Sequence, residues 1–382
     1  MIGEGEAVKI IHTADVHLDS KLKRHLDDRR AKQRRDELLL SFQKMVQYGD
    51  KQGVEAILIA GDLFDVAKVS ATARNAVLAV FEDHPWITFY YLRGNHDADS
   101  FLQDVLDKVG KLPKNLKFFQ DEWTSYVQQG TDGTSVVITG AEMTAENSKK
   151  LVASLLLDQA KLNIVMLHGQ ETETAGKKDA EVIPLREYKN RGIDYLALGH
   201  VHAPKLEKLD ARGVYAYSGC LEGRGFDECG PRGFYLLNVT AGRIDAEFVP
   251  FCKRMMRELT VDASDAVTSD EAIALTRAAG VYSDVSQEDM VKVILTGEPS
   301  LDAEFDEKYI ERVLEEDFYF VKVVNKTQPK VDYDGFALDV SLKGEFVRHV
   351  KDAVQAGELS EDEAAEIIRL GVRLLSGEEK LS

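Results

Sequence analysis

Residues 8–18 read Val-Lys-Ile-Ile-His-Thr-Ala-Asp-Val-His-Leu, an apolar run that ends in the polar pair Asp15 and His17. Such a run is too short for a helix and is typical of a buried strand. Similar runs recur through the first 250 residues, at 56–60, 87–92, 136–139, 163–167, 195–198, 214–217 and 234–239. Apolar residues at helical spacing predict helices at 38–46 and 73–81. Strands that alternate with helices predict an α/β layered domain ending near Phe251.

The rest of the chain predicts two smaller parts. Strand-like runs at 259–261, 290–295 and 318–324 alternate with helical stretches, the first of which opens on the capping box Thr268-Ser-Asp-Glu271. The tail, about 339–382, predicts two helices separated by Gly357. We therefore expect three parts, namely a layered domain over 1–253, a small α/β cap over 254–330, and a linker with a C-terminal helical pair over 331–382.

Composition excludes several classes of protein. The chain has 382 residues and 44% of them are apolar, which is ordinary for a globular protein and argues against disorder. Its polar, acidic N-terminus does not resemble a secretory signal, and no apolar run reaches the ~20 residues of a membrane span. Three cysteines, Cys220, Cys229 and Cys252, are expected to be free thiols. Together these features predict a cytoplasmic protein that does not enter membranes.

The net charge of -18 argues at first against a nucleic-acid partner, but the charge is unevenly distributed. Residues 256–382 carry 29 acids and 14 bases, whereas the other 255 residues are close to neutral. A basic excess lies at 21–35, with eight lysines and arginines against two aspartates. This stretch is either a solvated face or a contact for a phosphate backbone.

Five polar blocks each follow one of the predicted strands. They are Asp15-Val-His17, Gly61-Asp62-Leu-Phe-Asp65, Gly94-Asn95-His96-Asp97, His168-Gly169 and Gly199-His200-Val-His202. Sites in open α/β sheets form outside the carboxyl ends of strands, so these blocks should converge. They hold five of the nine histidines, and five such blocks in matching contexts argue against a chance pattern.

The residue types of these blocks fit a centre of two divalent ions. Imidazole nitrogen and carboxylate oxygen suit Mn²⁺, Fe²⁺ or Zn²⁺, and the absence of cysteine from the blocks argues against a structural zinc site. If the chain is extended at Asp15-x-His17 and His200-x-His202, the ligands of each pair project to the same side. The glycines before Asp62, Asn95 and His200 would allow sharp turns and close approach of the backbone.

The order of the blocks resembles the calcineurin-like metallophosphoesterase superfamily. More narrowly, the stretches 12–18, 194–202 and 217–226, with Glu228 and Gly233 beyond, resemble the SbcD-type DNA exonuclease branch. The resemblance covers about residues 8–251 closely, and the cap and tail match mainly in layout. It implies a layered β-sandwich flanked by helices.

The resemblance also implies roles for single residues. The first metal would be held by Asp15, His17, Asp62 and His202. The second would be held by Asp62, Asn95, His168 and His200, with Asp62 bridging the two. His96 would donate a proton to the leaving oxygen or stabilise it, and Asp65 would orient the imidazole of His96. Two divalent ions, which the resemblance implies to be Mn²⁺, would supply the activated water.

The activity implied is that of a Mn²⁺-dependent DNA exonuclease or endonuclease subunit in DNA repair. No P-loop motif exists in the chain, so an ATP dependence would come from an SbcC-like coiled-coil ABC-type ATPase bound to the C-terminal helices. Candidate DNA contacts are Arg29, Arg30, Arg34, Arg35 and Arg93. A homodimer is a further expectation. Two alternatives stay open, a phosphodiesterase for small molecules or cyclic nucleotides and a non-catalytic scaffold subunit.

Overall fold

The computed structural model describes residues 8–22, 26–66, 68–97, 100–130, 133–144, 146–172, 182–300, 303–328 and 338–375. The chain forms two compact units, Met1–Met255 and Met256–Ser382. No helix within these described ranges combines the length and the apolar character that crossing a lipid bilayer requires.

The first unit is built from strands and five helices in the described part of the chain. Its strands are β1 (Val8–Thr13), β2 (Val54–Ala60), β3 (Thr88–Leu92), β4 (Leu116–Phe118), β5 (Thr124–Gln129), β6 (Ser135–Gly140), β7 (Leu162–His168), β8 (Gln170–Thr172), β9 (Val182–Pro184), β10 (Tyr195–Gly199), β11 (Lys205–Lys208), β12 (Val214–Tyr217), β13 (Gly233–Thr240) and β14 (Arg243–Pro250). Its helices are α1 (Asp28–Gln52), α2 (Ala71–Asp83), α3 (Ser100–Val109), α4 (Ser148–Ser154) and α5 (Leu185–Tyr188).

The strands form two six-stranded sheets and one small ribbon. The order in the first sheet is β14-β13-β1-β2-β3-β4, and the order in the second is β11-β12-β10-β7-β6-β5. The ribbon pairs β8 with β9. In the first sheet β1, β2 and β3 are parallel, and in the second β7 is parallel to β10. The carboxyl ends of these strands therefore lie at one edge of each sheet.

The two sheets face each other and helices cover their outer faces. Along β2, Leu58 is buried in the core that both sheets share, whereas Ile57 and Ile59 pack into the core formed with the helices. Because both faces are buried, these strands are apolar throughout rather than alternating. The predicted α/β architecture, a β-sandwich flanked by helices, is confirmed.

Helix α1 shows how local sequence sets the bounds of an element. The side chain of Asp27 accepts a hydrogen bond from the Arg30 N–H and caps the N-terminus. The helix ends at Gly53, whose φ of 71° lies in the left-handed region that glycine adopts readily. The predicted apolar stripe is buried at Leu38, Phe42, Met45 and Val46.

The second unit contains a parallel three-stranded sheet and further helices. The strands are β15 (Met256–Asp262), β16 (Met290–Thr296) and β17 (Phe320–Asn325), in that order. The helices are α6 (Ser269–Ala278) and α7 (Glu307–Leu314), a short 3-10 turn at Gly280–Asp284, and the two tail helices Leu342–Gln355 and Glu361–Leu375. Thr268 and Glu271 form the predicted capping box. The tail helices pack on each other through a small core of Val347, Val350, Ala364, Ile368 and Val372.

Candidate metal centre

The five polar blocks meet at the carboxyl ends of the parallel strands. The backbone N–H of Asp15 donates to the carbonyl oxygen of Gly61 at 3.0 Å, which joins the block after β1 to the block after β2. The backbone N–H of His200 donates to both carboxylate oxygens of Asp15, at 2.9 and 3.0 Å. The predicted metal ligands whose residues are buried are Asp15, His17, Asp62 and His168.

The backbone at the ligands is not extended, so the geometry predicted for Asp15-x-His17 and His200-x-His202 was wrong. Asp15 and His17 both have φ of 51°, and φ is 98° at His200. Residues other than glycine rarely adopt this region, and each costs about 1–3 kcal/mol. The chain therefore turns at these ligands, and hydrogen bonds such as that from the His17 N–H to the Asp62 carbonyl hold the turns.

Asp15, His17 and His202 place one donor atom each within a single cluster. The Nε2 atoms of His17 and His202 lie 3.2 Å apart. The Nδ1 of His202 lies 2.6 Å from a carboxylate oxygen of Glu228, which can only accept, so this nitrogen carries the proton. The Nε2 of His202 then presents a lone pair toward His17, as expected of a histidine that binds a metal.

Asp15, Asp62 and His168 form a second cluster. The Nδ1 of His168 donates to the carbonyl oxygen of Ala60 at 3.0 Å. Its Nε2 lies 3.0 Å from Asn95 Oδ1 and 3.4 Å from Asp62 Oδ2. Because both neighbours are oxygens, this point needs a cation or a proton between them.

His200 completes this side of the site. Its ring lies 5.4 Å from the ring of His168, measured between centroids. Asp15 belongs to both clusters. Asp62 reaches both as well, because its Oδ2 lies 3.8 Å from Nε2 of His17 and 3.4 Å from Nε2 of His168. All seven predicted ligand residues therefore come together at one end of the sheets.

Electrostatics distinguish the two buried carboxylates. Burial raises the pKa of Asp15, although the nearby His168 and His202 oppose the shift. Burial would also raise the pKa of Asp62, but the hydrogen bond and charge of His168 outweigh it and lower this pKa to about 2. Burial would lower the pKa of His168, yet Asp62 raises it to about 9. Asp62 and His168 thus each favour the charged form of the other, whereas burial favours the neutral form of Asp15.

Asp65 links the cluster to the open side of the site. Its Oδ1 lies 3.0 Å from Nδ1 of His96 and 3.5 Å from Nδ1 of His17. The other oxygen accepts a hydrogen bond from the Ser20 hydroxyl at 2.7 Å. The His96 side chain is 52% exposed, in contrast to the buried ligands, so its Nε2 is accessible from outside. These contacts place His96 and Asp65 as the resemblance implied, and their roles stay a prediction.

Glycine is required at two positions of the blocks, because a side chain of another block lies too close for a Cβ atom. A Cβ at Gly61, where φ is 94°, would lie 2.1 Å from Nδ1 of His168. A Cβ at Gly94 would lie 2.2 Å from Oδ1 of Asp62. Any larger residue at either position would displace a predicted ligand, so the prediction of close backbone approach is confirmed.

The donor set fits divalent transition-metal ions. Imidazole nitrogens and carboxylate oxygens converge, with an amide oxygen from Asn95, and such mixed sets suit Mn²⁺, Fe²⁺ and Zn²⁺. Asp15 and Asp62 contact histidines and backbone amides, and no lysine or arginine of the described residues forms an ion pair with either. The negative charge of the site is therefore left for bound metal to balance.

The arginines predicted to contact DNA differ in their surroundings, and the prediction for Arg34 was wrong. Arg34 is 2% exposed and is held by Glu37, Glu222 and the Gly223 carbonyl, so it cannot reach a phosphate. Arg29 is exposed, while Nη1 of Arg30 lies 3.7 Å from Oδ2 of Asp27. Arg35 donates to the Lys21 carbonyl, and the Arg93 guanidinium forms a two-pronged ion pair with Glu142.

Sequence reasoning missed three residues that surround the ligands. Glu228 accepts the proton of His202, and Ser20 and Arg224 contact Asp65. Glu228 and Arg224 lie in the stretch after the last metal block, where the sequence resembles the family without indicating a role for either. That position was the one available signal, because only the fold brings these side chains to the site.

A model of the family described as calcineurin-like phosphoesterase matches residues 8–204, more than half of the chain. The uncharacterized metallophosphoesterase YhaO of Bacillus subtilis is 28% identical over 263 residues, which cover 67% of this chain and 63% of that protein. The DNA double-strand break repair protein Mre11 of Aeropyrum pernix is 28% identical over 277 residues, 67% of this chain and 64% of its own. The chain thus spans less than two thirds of the length of these relatives.

The solved structure of TT1561 of Thermus thermophilus aligns with 63% of this chain and 99% of its own, with a TM-score of 0.43 and 13% identity. The family typically binds two divalent metals, and the described residues include matching ligand clusters. Because the family model covers more than half of its length, the chain belongs to the calcineurin-like phosphoesterase family and is a metal-dependent hydrolase.

Proposed function

We propose that the chain is an SbcD-type DNA nuclease subunit that hydrolyses phosphodiester bonds at a Mn²⁺-loaded two-metal centre. The observation that carries the proposal is the pairing of a buried ligand cluster with an exposed histidine, His96, at its rim. The similarity to relatives named as Mre11 repair proteins favours DNA as the substrate.

The proposed ligand sets are those that the resemblance implies, and the clustering of the donor atoms supports them in part. Asp15, His17, Asp62 and His202 would hold one ion, and Asp62, Asn95, His168 and His200 would hold the other. Two such ions, when bound, supply Lewis acidity and an activated water to an in-line displacement. Glu228 keeps His202 in the tautomer that leaves Nε2 free, and the Ala60 carbonyl does the same for His168.

His96 is the proposed proton donor to the leaving oxygen. Its Nδ1 is held by Asp65, so its Nε2 points away from that carboxylate toward the open side. Burial would raise the pKa of Asp65, but hydrogen bonds from His17 and Ser20 hold this pKa well below its usual range. The carboxylate therefore stays ionised and can accept a hydrogen bond from Nδ1 of His96, which orients the imidazole.

DNA would contact the basic residues near the site. Arg29, Arg30 and Arg35 lie at the start of α1, and Arg93 directly precedes the block that contains Asn95 and His96. Phosphate contacts of this kind contribute affinity and salt dependence rather than sequence preference. Arg93 is already paired with Glu142, so its contribution should be the smallest of the four.

An SbcC-like coiled-coil ABC-type ATPase is the proposed partner of the tail helices. These helices bury one face on each other, but large apolar side chains on them stay exposed, namely Leu342, Ile367, Leu370, Leu374 and Leu375. A helical pair with such a face suits binding in the groove of a partner helix. We place this assembly in DNA repair in the cytoplasm, and a second copy of the chain is a further proposed partner.

The deciding experiment compares substrates. Pure protein loaded with Mn²⁺ is incubated with linear duplex DNA, with a chromogenic phosphodiester and with cyclic nucleotides, each with a chelator control. Cleavage of DNA at rates well above those on the cyclic nucleotides supports the nuclease. Cleavage of the small substrates alone would favour the phosphodiesterase alternative, and no cleavage of any substrate by metal-loaded protein would favour the scaffold.

A further inference from the structure

Arg224 lies beside the metal centre, in the loop between β12 and β13, and it contacts two carboxylates. Its Nη1 lies 3.4 Å from Asp65 Oδ2, and its Nη2 lies 3.3 Å from Glu228 Oε1. Its backbone N–H also donates to Glu228 Oε2 at 2.6 Å. The side chain is 18% exposed, so the guanidinium is largely screened from water by its partners.

Each of these carboxylates orients one imidazole of the site. Glu228 accepts the Nδ1 proton of His202, a proposed metal ligand, at 2.6 Å. Asp65 lies 3.0 Å from Nδ1 of His96, the proposed proton donor. A single guanidinium therefore touches the supports of two side chains with different tasks, and its Nη2 also lies 3.3 Å from Nδ1 of His202 itself.

The charge balance explains why an arginine fits this position. Burial would raise the pKa of Glu228, but the hydrogen bond of His202 and the charge of Arg224 lower it to about 2. Two ionised carboxylates near the same site repel each other unless a cation lies between them. The planar fork of arginine can donate to both at once, whereas the compact ammonium of lysine cannot hold both geometries equally well.

The loop that carries Arg224 is fixed from its far side. The buried Arg34 donates to the Gly223 carbonyl at 2.9 Å and to the carboxylate of Glu222 at 3.2 Å. The residue before Arg224 is thus anchored to α1, and Glu228 closes the loop after it. This anchoring limits the freedom of the Arg224 side chain to the space between Asp65 and Glu228.

We propose that Arg224 is a positioning residue that sets the imidazoles of His96 and His202 together, through Asp65 and Glu228. The inference rests on the proposed function for its effect on turnover, but its effect on metal binding is independent of the substrate. Replacing a group that supports a metal-binding histidine typically costs about 10–100-fold in affinity or activity. Because Arg224 acts through Glu228, we expect the lower end of that range for metal affinity.

The test measures metal affinity and steady-state kinetics in the full chain. Arg224→Gln should lower the affinity for Mn²⁺ about 10-fold by calorimetry and lower kcat on a chromogenic phosphodiester about 10–100-fold, with KM little changed. Arg224→Lys, which keeps the charge but not the fork, should restore part of both losses. An increase in KM with unchanged kcat would overturn the proposal, since it would mean that Arg224 binds substrate directly.

Double variants distinguish positioning from general loss of structure. If Arg224 acts through Glu228, its loss of metal affinity should be largely absent in a Glu228→Gln background, and its loss of kcat should be reduced with Asp65→Asn. If the losses of metal affinity and of kcat were fully additive in both double variants, the proposal would be overturned. Arg212→Gln is the matched control, because Arg212 forms a similar ion pair with Asp194 just before β10, at the opposite end of the strand from Gly199.

The calorimetric arm also distinguishes this inference from the proposed function. Wild-type protein that binds Mn²⁺ but cleaves no phosphodiester would contradict the proposed function, and the metal affinities of the Arg224 variants would still decide the inference. Wild-type cleavage with an Arg224→Gln variant of unchanged metal affinity and kcat would contradict the inference alone.

Discussion

Two buried clusters of charged residues, both among the described residues of the first unit, are built in opposite ways. One lies where α1 meets the end of the unit, and there Glu37 is surrounded by Arg34, Lys253 and Arg254. The other is the metal centre, where Asp15 and Asp62 face histidines and backbone amides. The first cluster balances its charge with its own cations, whereas the second leaves negative charge for bound metal.

Protonation follows this difference. Burial would raise the pKa of Glu37, but hydrogen bonds from Arg254, Lys253 and Arg34 hold it well below its usual range. At Asp15 burial prevails and the pKa is raised. A buried carboxylate with internal cations serves stability, and one without them is available to a ligand. The two clusters should therefore respond differently to the same kind of substitution.

The largest expected effect is at the carboxylate shared by both metals. Asp62→Asn keeps the size of the side chain and an oxygen for the His96 N–H, but it removes the charge that bridges the two ions. We expect both sites to weaken and turnover to fall below detection, while the metal-free protein stays folded. Elemental analysis after Mn²⁺ loading checks this. Wild-type protein that retains no more than one ion would contradict the two-metal assignment.

The next effect separates chemistry from metal binding. His96→Ala should keep both ions and DNA affinity, because the side chain is half exposed and contacts Asp65 rather than the ligand oxygens. Turnover should fall by ~10²–10⁴, the usual contribution of a positioned acid. Calorimetry with Mn²⁺ and single-turnover cleavage measure the two quantities. Near-wild-type cleavage would show that another group protonates the leaving oxygen.

At the other cluster the same kind of substitution should reduce stability and leave chemistry intact. Glu37→Gln leaves the buried Arg34 and Arg254, and the more exposed Lys253, without this carboxylate, which should cost about 3 kcal/mol of unfolding free energy. The folded pKa of Glu37 is depressed, so its stabilisation is complete above its unfolded pKa of about 4.3 and is lost as the pH falls below it. Urea unfolding at pH 7 and pH 3 should show the difference from wild type shrinking in acid.

A matched control for that experiment is Glu122→Gln, which removes an exposed glutamate paired with Lys150. Exposed pairs contribute little, so this variant should unfold like wild type at both pH values. Equal losses in Glu37→Gln and Glu122→Gln would show that the Glu37 cluster is not a stabilising network. Reduced turnover of folded, metal-loaded Glu37→Gln would show that the two clusters are not independent.

The sequence predicted the strands that are apolar on both faces, but not those at the edges of the sheets. β2 and β7 are each buried at all but one residue near the start, and they have continuous apolar runs at 56–60 and 164–167. β5 and β14 are edge strands whose alternate residues are exposed, so polar residues interrupt the pattern. Metal ligands were predictable because their blocks follow buried strands directly. Glu228 and Arg224 were not, since Arg224 is 159 residues from Asp65 and only the tertiary fold joins them.

Arg34 is the instructive error at the site. As part of a run of basic residues it suggested a phosphate contact, yet it precedes Leu38 by four residues and so shares the buried stripe of α1. The helical spacing that predicted the apolar stripe carried the needed signal. What the sequence could not supply was the carboxylate of Glu222, 188 residues away, that makes burial of this charge tolerable.

A smaller effect, on DNA binding, is expected from substitutions in the exposed part of α1. Replacing Arg29, Arg30 and Arg35 together with glutamine should weaken DNA binding and lower the slope of log affinity against log salt by up to about three units, one for each lost phosphate contact. Neither buried cluster should change, as judged by metal content and urea midpoint. Replacing Lys149, Lys150 and Lys161, which are exposed elsewhere, is the control. A slope equal to that of wild type would assign the stretch to a solvated face.

The smallest effect on both clusters is expected from removing the tail. The tail helices belong to the second unit and have a core of their own, whereas every residue of the two clusters lies in Met1–Met255. A chain ending at Tyr333, a position outside the described residues, should therefore keep its metal content and its cleavage of short substrates. The urea midpoint of the first unit, which depends on the Glu37 cluster, should also be unchanged. It should lose association with an SbcC-like ATPase and any ATP-stimulated digestion of duplex DNA, because the exposed face of these helices is the proposed contact. A matched variant with Leu370 and Leu374 changed to serine tests that face within the full chain. Co-purification of the truncated chain with the ATPase at full affinity would show that the tail is only structural.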